Sequence, residues 1–246
     1  MGWFGGSYQE YDFNMFSGSH FTVVALVFAA IIGLYASRRH LGRYIGRKAE
    51  IGTAFFLLLI EAFYHVWMMT TDSWKIKHAI PLELCSISLF LAVLLLLTQK
   101  KMIYEILVFT GLLGASQALL TPYLNFDFPH FRFFHFFIVH AFLMLVPLYF
   151  TWVKGFRPTL VSVAKTMVFL NLLIPFIMGI NKWTGGNYLY LSHKPNSASL
   201  LDVLGPYPWY ILSLEGMALI LSLFIWLLLG EKEARPLIEK PFRRRA

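Results

Sequence analysis

A single cysteine among 246 residues excludes any internal disulfide. Charge is as scarce: 14% of the residues are Asp, Glu, Lys or Arg, against about 25% in an ordinary soluble domain. There is no repeat of the kind that builds many transporters, no linker dividing two domains and no low-complexity tract. The first 19 residues lack the basic region and small-residue cleavage site of a signal peptide, so the first apolar run is expected to stay uncleaved. Nothing like His-Glu-x-x-His is present, and neither metal nor cofactor is expected. What fills the chain instead is apolar bulk, 58% hydrophobic residues with 24 Phe, 12 Tyr and 7 Trp. That composition excludes a soluble enzyme, a disordered tail and a nucleic-acid-binding domain. The net charge of +8 lies beside apolar runs, where lipid headgroups and membrane topology account for it and no nucleic acid is needed.

About 20 apolar residues cross a bilayer as a helix. Seven runs qualify, near 20–37, 51–71, 80–98, 102–120, 133–153, 158–181 and 207–229. The expectation is an all-α, polytopic bundle of seven transmembrane helices forming one domain over 1–246, in the plasma membrane. Arg38, Arg39, Arg43, Arg47, Lys48, Lys100, Lys101, Lys154, Arg157 and the basic residues from Lys232 onward share one side, which by the positive-inside rule is the cytoplasmic one. The N-terminus is then outside and the C-terminus inside. The longest outer loop, Asn181 to Pro206, carries Gly185-Gly186 and Pro195, and with Trp183, Tyr188, Tyr190 and Trp209 as rings that favour the headgroup level it is expected to cap the outer mouth of the bundle.

Ionisable groups inside spans are costly and by default mark a functional interior. At a rise of about 1.5 Å per residue, His65 lies roughly 9 Å from the outer end, Cys85 roughly 8 Å, His140 about 10 Å and Glu215 roughly 12 Å. Glu61 shares a helical face with His65, Gln117 closes the fourth span, and His135 and Arg132 stand near the outer surface. These residues point to one polar layer and to a cavity in the outer half, lined by Glu61, His65, Cys85, Gln117, His140 and Glu215. Cys85 shares its side of the helix with Ser88 and Ala92 and is expected to look inward. Glu83, on the other side, is expected to snorkel or to pair with Lys75 or Lys77. His20, His40, His78 and His193 read as solvated or headgroup-level residues, and His130 with Arg132 as a lipid-phosphate contact. The bland reading of the same layer is a buried thiol packing as a small hydrophobe and polar pairs bridging helices.

A thiol needs a base to attack a carbonyl, and a histidine from another helix is the usual supplier. Cys85 with His140 would make such a pair within the acyl layer, suited to an ester of a membrane phospholipid. The chain is taken first as a thioester and then passed to water or a second lipid. His135 is the weaker base, nearer the surface and rotated about 140° from His140.

The stretches Glu61-Ala62-Phe63-Tyr64-His65-Val66-Trp67, Pro81-Leu82-Glu83-Leu84-Cys85-Ser86, Gln117-Ala118-Leu119-Leu120-Thr121-Pro122, Phe128-Pro129-His130-Phe131-Arg132 with His140 further on, Thr184-Gly185-Gly186-Asn187-Tyr188 and Leu204-Gly205-Pro206-Tyr207-Pro208-Trp209 resemble the bacterial YwaF family, related to transmembrane protein 164 of animals. The resemblance runs in order from the second span onward. It implies a cysteine-dependent lipid acyltransferase, with the nucleophile on Cys85 and the histidine on His140. The remaining polar residues, Glu61, His65, Gln117, His135, Arg132 and Glu215, are then supporting or substrate-binding. The alternative is a non-enzymatic lipid or solute transporter of scramblase type, in which Glu and His, with Glu105 and Asn171 deeper in, carry protons or line a path.

Overall fold

The computed structural model describes residues 2–6, 12–194 and 200–230. Pro195 to Ser199 of the long loop and the basic C-terminal residues from Glu231 onward, both used in the sequence reading, lie outside them. Among the described residues the chain is all-α: α1 (Gly18–Tyr44), α2 (Arg47–Thr70), α3 (Leu84–Thr98), α4 (Lys101–Leu120), α5 (Phe131–Trp152), α6 (Leu160–Thr184) and α7 (Trp209–Leu229). Two short 3-10 segments, Tyr188–Tyr190 and Leu200–Leu204, lie in the long loop. Six helices are long and apolar enough to cross a membrane; α3, at 15 residues, is the short one. It begins four residues later than the pattern implied. Pro81 disfavours helical geometry in the residue before it, and Glu83 stands at the N-cap with extended backbone.

Local chemistry sets the helix ends. Thr159 and Ser162 form a reciprocal capping box at the start of α6, and Gly185 ends that helix in the left-handed region at φ 66°. At the start of α5 the His130 ring itself is the cap, its Nδ1 accepting the Arg132 N–H at 3.1 Å. Burial pushes His130 below the ordinary histidine pKa, so the ring stays neutral and keeps that lone pair.

Helix α4 is the hub, packed against α3, α5, α6 and α7, whereas α1 leans mainly on α5. Hydrophobicity does not distinguish the two; surroundings do. The apolar window of α5 is 67% buried and that of α7 only 6%, so the outer helices spend their apolar faces on lipid. The most extensive helix packing is between α4 and α5. Pro147 has no N–H, so the carbonyl of Leu143 one turn earlier loses its intrahelical donor. Gly111 lies against that carbonyl, so close that a Cβ on it would stand 2.7 Å from the oxygen. Only a glycine brings a backbone near enough to cover the orphaned acceptor with a Cα–H. Gly111→Ala is therefore expected to cost about 1–3 kcal/mol, in the range of an overpacked core. A lowered thermal midpoint in detergent would register it, and an unchanged midpoint would remove the contact from the account.

Candidate functional site

Two polar groups meet between α2, α3, α4 and α5. The first is centred on Glu61, which is 8% exposed. His135 Nε2 is 3.1 Å from Glu61 Oε2, and His65 Nε2 is 3.7 Å from Oε1. Their partners on the far side fix the tautomers. Arg132 can only donate, and its Nη1 lies 2.9 Å from His135 Nδ1. Likewise the indole N–H of Trp74 donates to His65 Nδ1 at 3.3 Å. Each Nδ1 is thus an acceptor, and both Nε2–H groups point at one carboxylate. Tyr64 completes the cluster: His135 stacks on its ring at 4.3 Å, and the Arg132 guanidinium sits 4.4 Å from the ring centroid.

The second group is Cys85 with His140. Cys85 is the second residue of α3, and its Sγ lies against Gly114 of α4, 3.2 Å from where a Cβ would stand. Since α4 and α5 run antiparallel with Gly111 opposite Leu143, three residues along each helix bring Gly114 level with His140. Cys85 and His140 therefore occupy one level of the bundle, beside a helix surface that glycine leaves bare. His140 Nδ1 donates to the Phe136 carbonyl at 2.7 Å, because a carbonyl can only accept. The lone pair is then on Nε2, the form a general base needs. No hydrogen bond joins Sγ to His140 among the described residues; catalytic contacts often tighten only once substrate is bound. His140 follows His135 by five residues on the same helix, which links the two groups.

The start of α3 contributes more than the thiol. The first N–H groups of a helix have no partner within it. Glu83 provides no side-chain cap, and among the described residues the amides of Leu84, Cys85 and Ser86 bond to nothing. Free donors beside a nucleophile can receive an oxyanion. One turn on, Ser88 is fully buried and its hydroxyl has no partner among the described residues.

The long loop reaches this point. Glu83 neither snorkels nor pairs with Lys75 or Lys77; its carboxylate accepts the Leu189 N–H at 3.2 Å. Tyr188, read as a headgroup-level ring, is 1% exposed. Its hydroxyl donates to the Ile76 carbonyl at 2.6 Å and accepts the Ile80 N–H at 3.0 Å. Asn181 holds the Tyr188 backbone from both sides, through its amide oxygen and nitrogen. Residues 185–191 thus pack on residues 76–83, the segment that leads into α3. Trp183 and Trp209, by contrast, face outward.

Other expected members are not brought in. Gln117 is exposed and bonds to Thr121 at the end of its own helix. Glu215 of α7 makes no hydrogen bond or ion pair among the described residues and stands outside both groups. Gln117 and Glu215 are thus not among the side chains that meet there. A cavity of about 300 Å³ lies at the opposite, basic end between α1, α2 and α5, and a small apolar one between α1, α4 and α5. His130 is fully buried, its Nε2 bonded to the Gly5 carbonyl at 2.9 Å, which removes it as a phosphate contact. His20 is buried too: it receives the Phe16 N–H on Nδ1 and donates from Nε2 to the Leu119 carbonyl at 2.8 Å, tying α1 to α4. Glu105 is held by Lys165 at 2.5 Å, and Asn171 is exposed and turned back on Met167, so neither extends a polar path inward. Sequence reasoning missed Tyr64, Trp74, Gly114 and the bare amides of α3. Only the 3-residue step from Arg132 to His135 signalled part of this beforehand.

Glu61→Gln should disturb the first group most, because the two Nε2–H groups lose a charged acceptor. A loss of about 1.5–3 kcal/mol is expected for hydrogen bonds to an ionised group, read as a lower denaturation midpoint. Imidazole nitrogen NMR shifts of His135 that match the native protein would show that Glu61 does not hold the ring.

No curated protein and no solved structure matches the chain. Six long apolar helices around a polar centre make it a multi-pass membrane protein. Residues 15–226, nearly the whole of the described bundle, match the model of the TMEM164 family, and the chain belongs to that family.

Proposed function

We propose that this protein, of the YwaF type within its family, is an intramembrane lipid acyltransferase or acyl-ester hydrolase. In this reading it crosses the plasma membrane seven times, with the N-terminus outside and the C-terminus in the cytoplasm. One observation carries the proposal: the thiol at the bare N-terminus of α3 shares a level with a histidine whose tautomer leaves Nε2 basic. In the first half-reaction His140 Nε2 takes the thiol proton and Sγ attacks the ester carbonyl of a phospholipid. The carbonyl oxygen becomes an oxyanion facing the free amides of Leu84, Cys85 and Ser86. As the tetrahedral intermediate collapses, the C–O ester bond breaks, and the imidazolium returns its proton to the leaving lysolipid alkoxide. A thioester on Cys85 remains. In the second half-reaction His140 deprotonates the hydroxyl of another lipid, or water, which attacks the thioester; Cys85 leaves as thiolate and recovers the proton. Glu61, His65, His135 and Arg132 set the field above His140 and hold α2 and α5 in register.

Residues 185–191, packed on the segment that leads into α3, favour a lipid acceptor over water by keeping bulk solvent from the thioester.

The test is a lipidomic comparison of cells with and without the protein, repeated with variants. Cys85→Ala should abolish the change in acyl distribution, and His140→Gln should reduce the rate by about 10²–10⁴, the usual contribution of a general base. A lipophilic acyl-phosphonate should label Cys85 and yield its modified peptide. Full lipid turnover in a folded Cys85→Ala protein would end the covalent reading.

Close contact between Sγ and Gly114 gives a second check. Gly114→Val should crowd the thiol and suppress labelling while leaving other folded-state signals in place. Undiminished labelling would show that the nucleophile is approached from elsewhere.

A further inference from the structure

At the basic end, far from Cys85, α1 and α2 diverge from their short connection at Gly46, and α1 leans on α5 without closing on α2. The space left is the cavity of about 300 Å³. Its α1 wall is the stripe Ala30, Leu34, Ser37, Leu41 and Ile45, one helical face in continuous register. Ala30 and Ala49 are exposed and Leu34, Ser37 and Leu41 partly so, which makes it a groove open to the side. From Ala30 to Ile45 it runs about 22 Å at 1.5 Å per residue, the reach of one long acyl chain.

Only one end of this groove is charged. Glu50, 2% exposed, is held there by Lys154 at 2.6 Å, Arg47 at 3.0 Å and the Tyr149 hydroxyl at 2.8 Å, and Gln99 also bonds it. Two cations against one carboxylate leave one net positive charge. The Lys154 and Arg47 side chains remain 30% and 42% exposed; Arg47 also donates to the Leu96 and Leu97 carbonyls, which leaves Nε and one Nη2 hydrogen of its fork, and Lys154 keeps two further N–H groups. Arg43 and Lys48 beside them add the same sign.

We propose that this groove binds one anionic phospholipid, an acyl chain lying along the α1 stripe and the phosphate on Lys154 and Arg47. Apolar length and a cationic end match that ligand, while a zwitterionic lipid would bring its own cation to the same place. The site is independent of the Cys85 chemistry and would persist in Cys85→Ala.

Full-length protein in detergent is titrated with phosphatidylglycerol, or with phosphatidylcholine of the same chains, and read by native mass spectrometry. One saturable phosphatidylglycerol per chain is expected, with phosphatidylcholine about tenfold weaker. Ala30→Phe and Ala49→Phe fill the groove and should each weaken the adduct by about tenfold at an unchanged thermal midpoint. Lys154→Gln should erase the preference between the two lipids and Lys154→Arg should keep it. Equal affinity for both lipids, or an adduct indifferent to both filling variants, overturns the proposal. So does a chain dimer that the filling variants dissociate, since the occupant would then be a second copy.

Discussion

The bundle turns on a backbone-to-backbone approach between α4 and α5, where a proline on one helix frees a carbonyl and a glycine on the other covers it. In a bilayer an unsatisfied carbonyl has no water to turn to, so the register of the two helices cannot slide without exposing it. Once Gly111 is set against Leu143, the level of Gly114 beside His140 follows from helix geometry alone. The bare surface at Gly114 is where α3 brings its thiol. The relation of Cys85 to His140 is thus a property of the α4–α5 contact as much as of either residue.

Around that contact nearly every buried polar group is paired, and the choice of partner carries information. Arginine, the tryptophan indole and backbone amides can only donate, so wherever one meets a histidine the tautomer is decided. His135, His65, His130 and His20 are all fixed in this way, each with its second nitrogen directed at a carboxylate or carbonyl. His140 is the reverse case. Its donor nitrogen is spent on Phe136 and its acceptor nitrogen left without a partner among the described residues. Removing a carboxylate from such an arrangement leaves buried donors stranded, which costs more than the pair itself contributes.

The helices, six of them long and apolar enough to cross a membrane, could be read in advance because they depend on a one-dimensional quantity, apolar run length. Glu61 with His65 followed from spacing of four on a helix. What could not be read was direction. Gln117 closes its span on the same side as the polar layer but faces outward, and nothing in its flanking residues says so. Sequence distance refers Glu83 to the nearest lysines, whereas the fold offers it an amide 106 positions away. Residue type places Tyr188 at the interface, yet its hydroxyl joins a carbonyl and an amide on a different connection. His20 and His130 differ from expectation for the same reason: their partners lie 99 and 125 residues distant. The family was legible through its motifs, which are local and ungapped and so need no knowledge of the fold.

The shortness of α3 has a bearing on the lipid itself. Fifteen helical residues span about 22 Å where the hydrocarbon layer is about 30 Å thick. Phe90 and Leu94 on its outer face are exposed and meet acyl chains directly. A hydrophobic face shorter than the layer it touches is matched by local thinning, as neighbouring chains tilt and their headgroups dip. In the proposed reading, in which α3 crosses the bilayer, lipids standing against it would be drawn inward on the side where it begins, and the mismatch would bring their ester linkages toward the depth of Cys85.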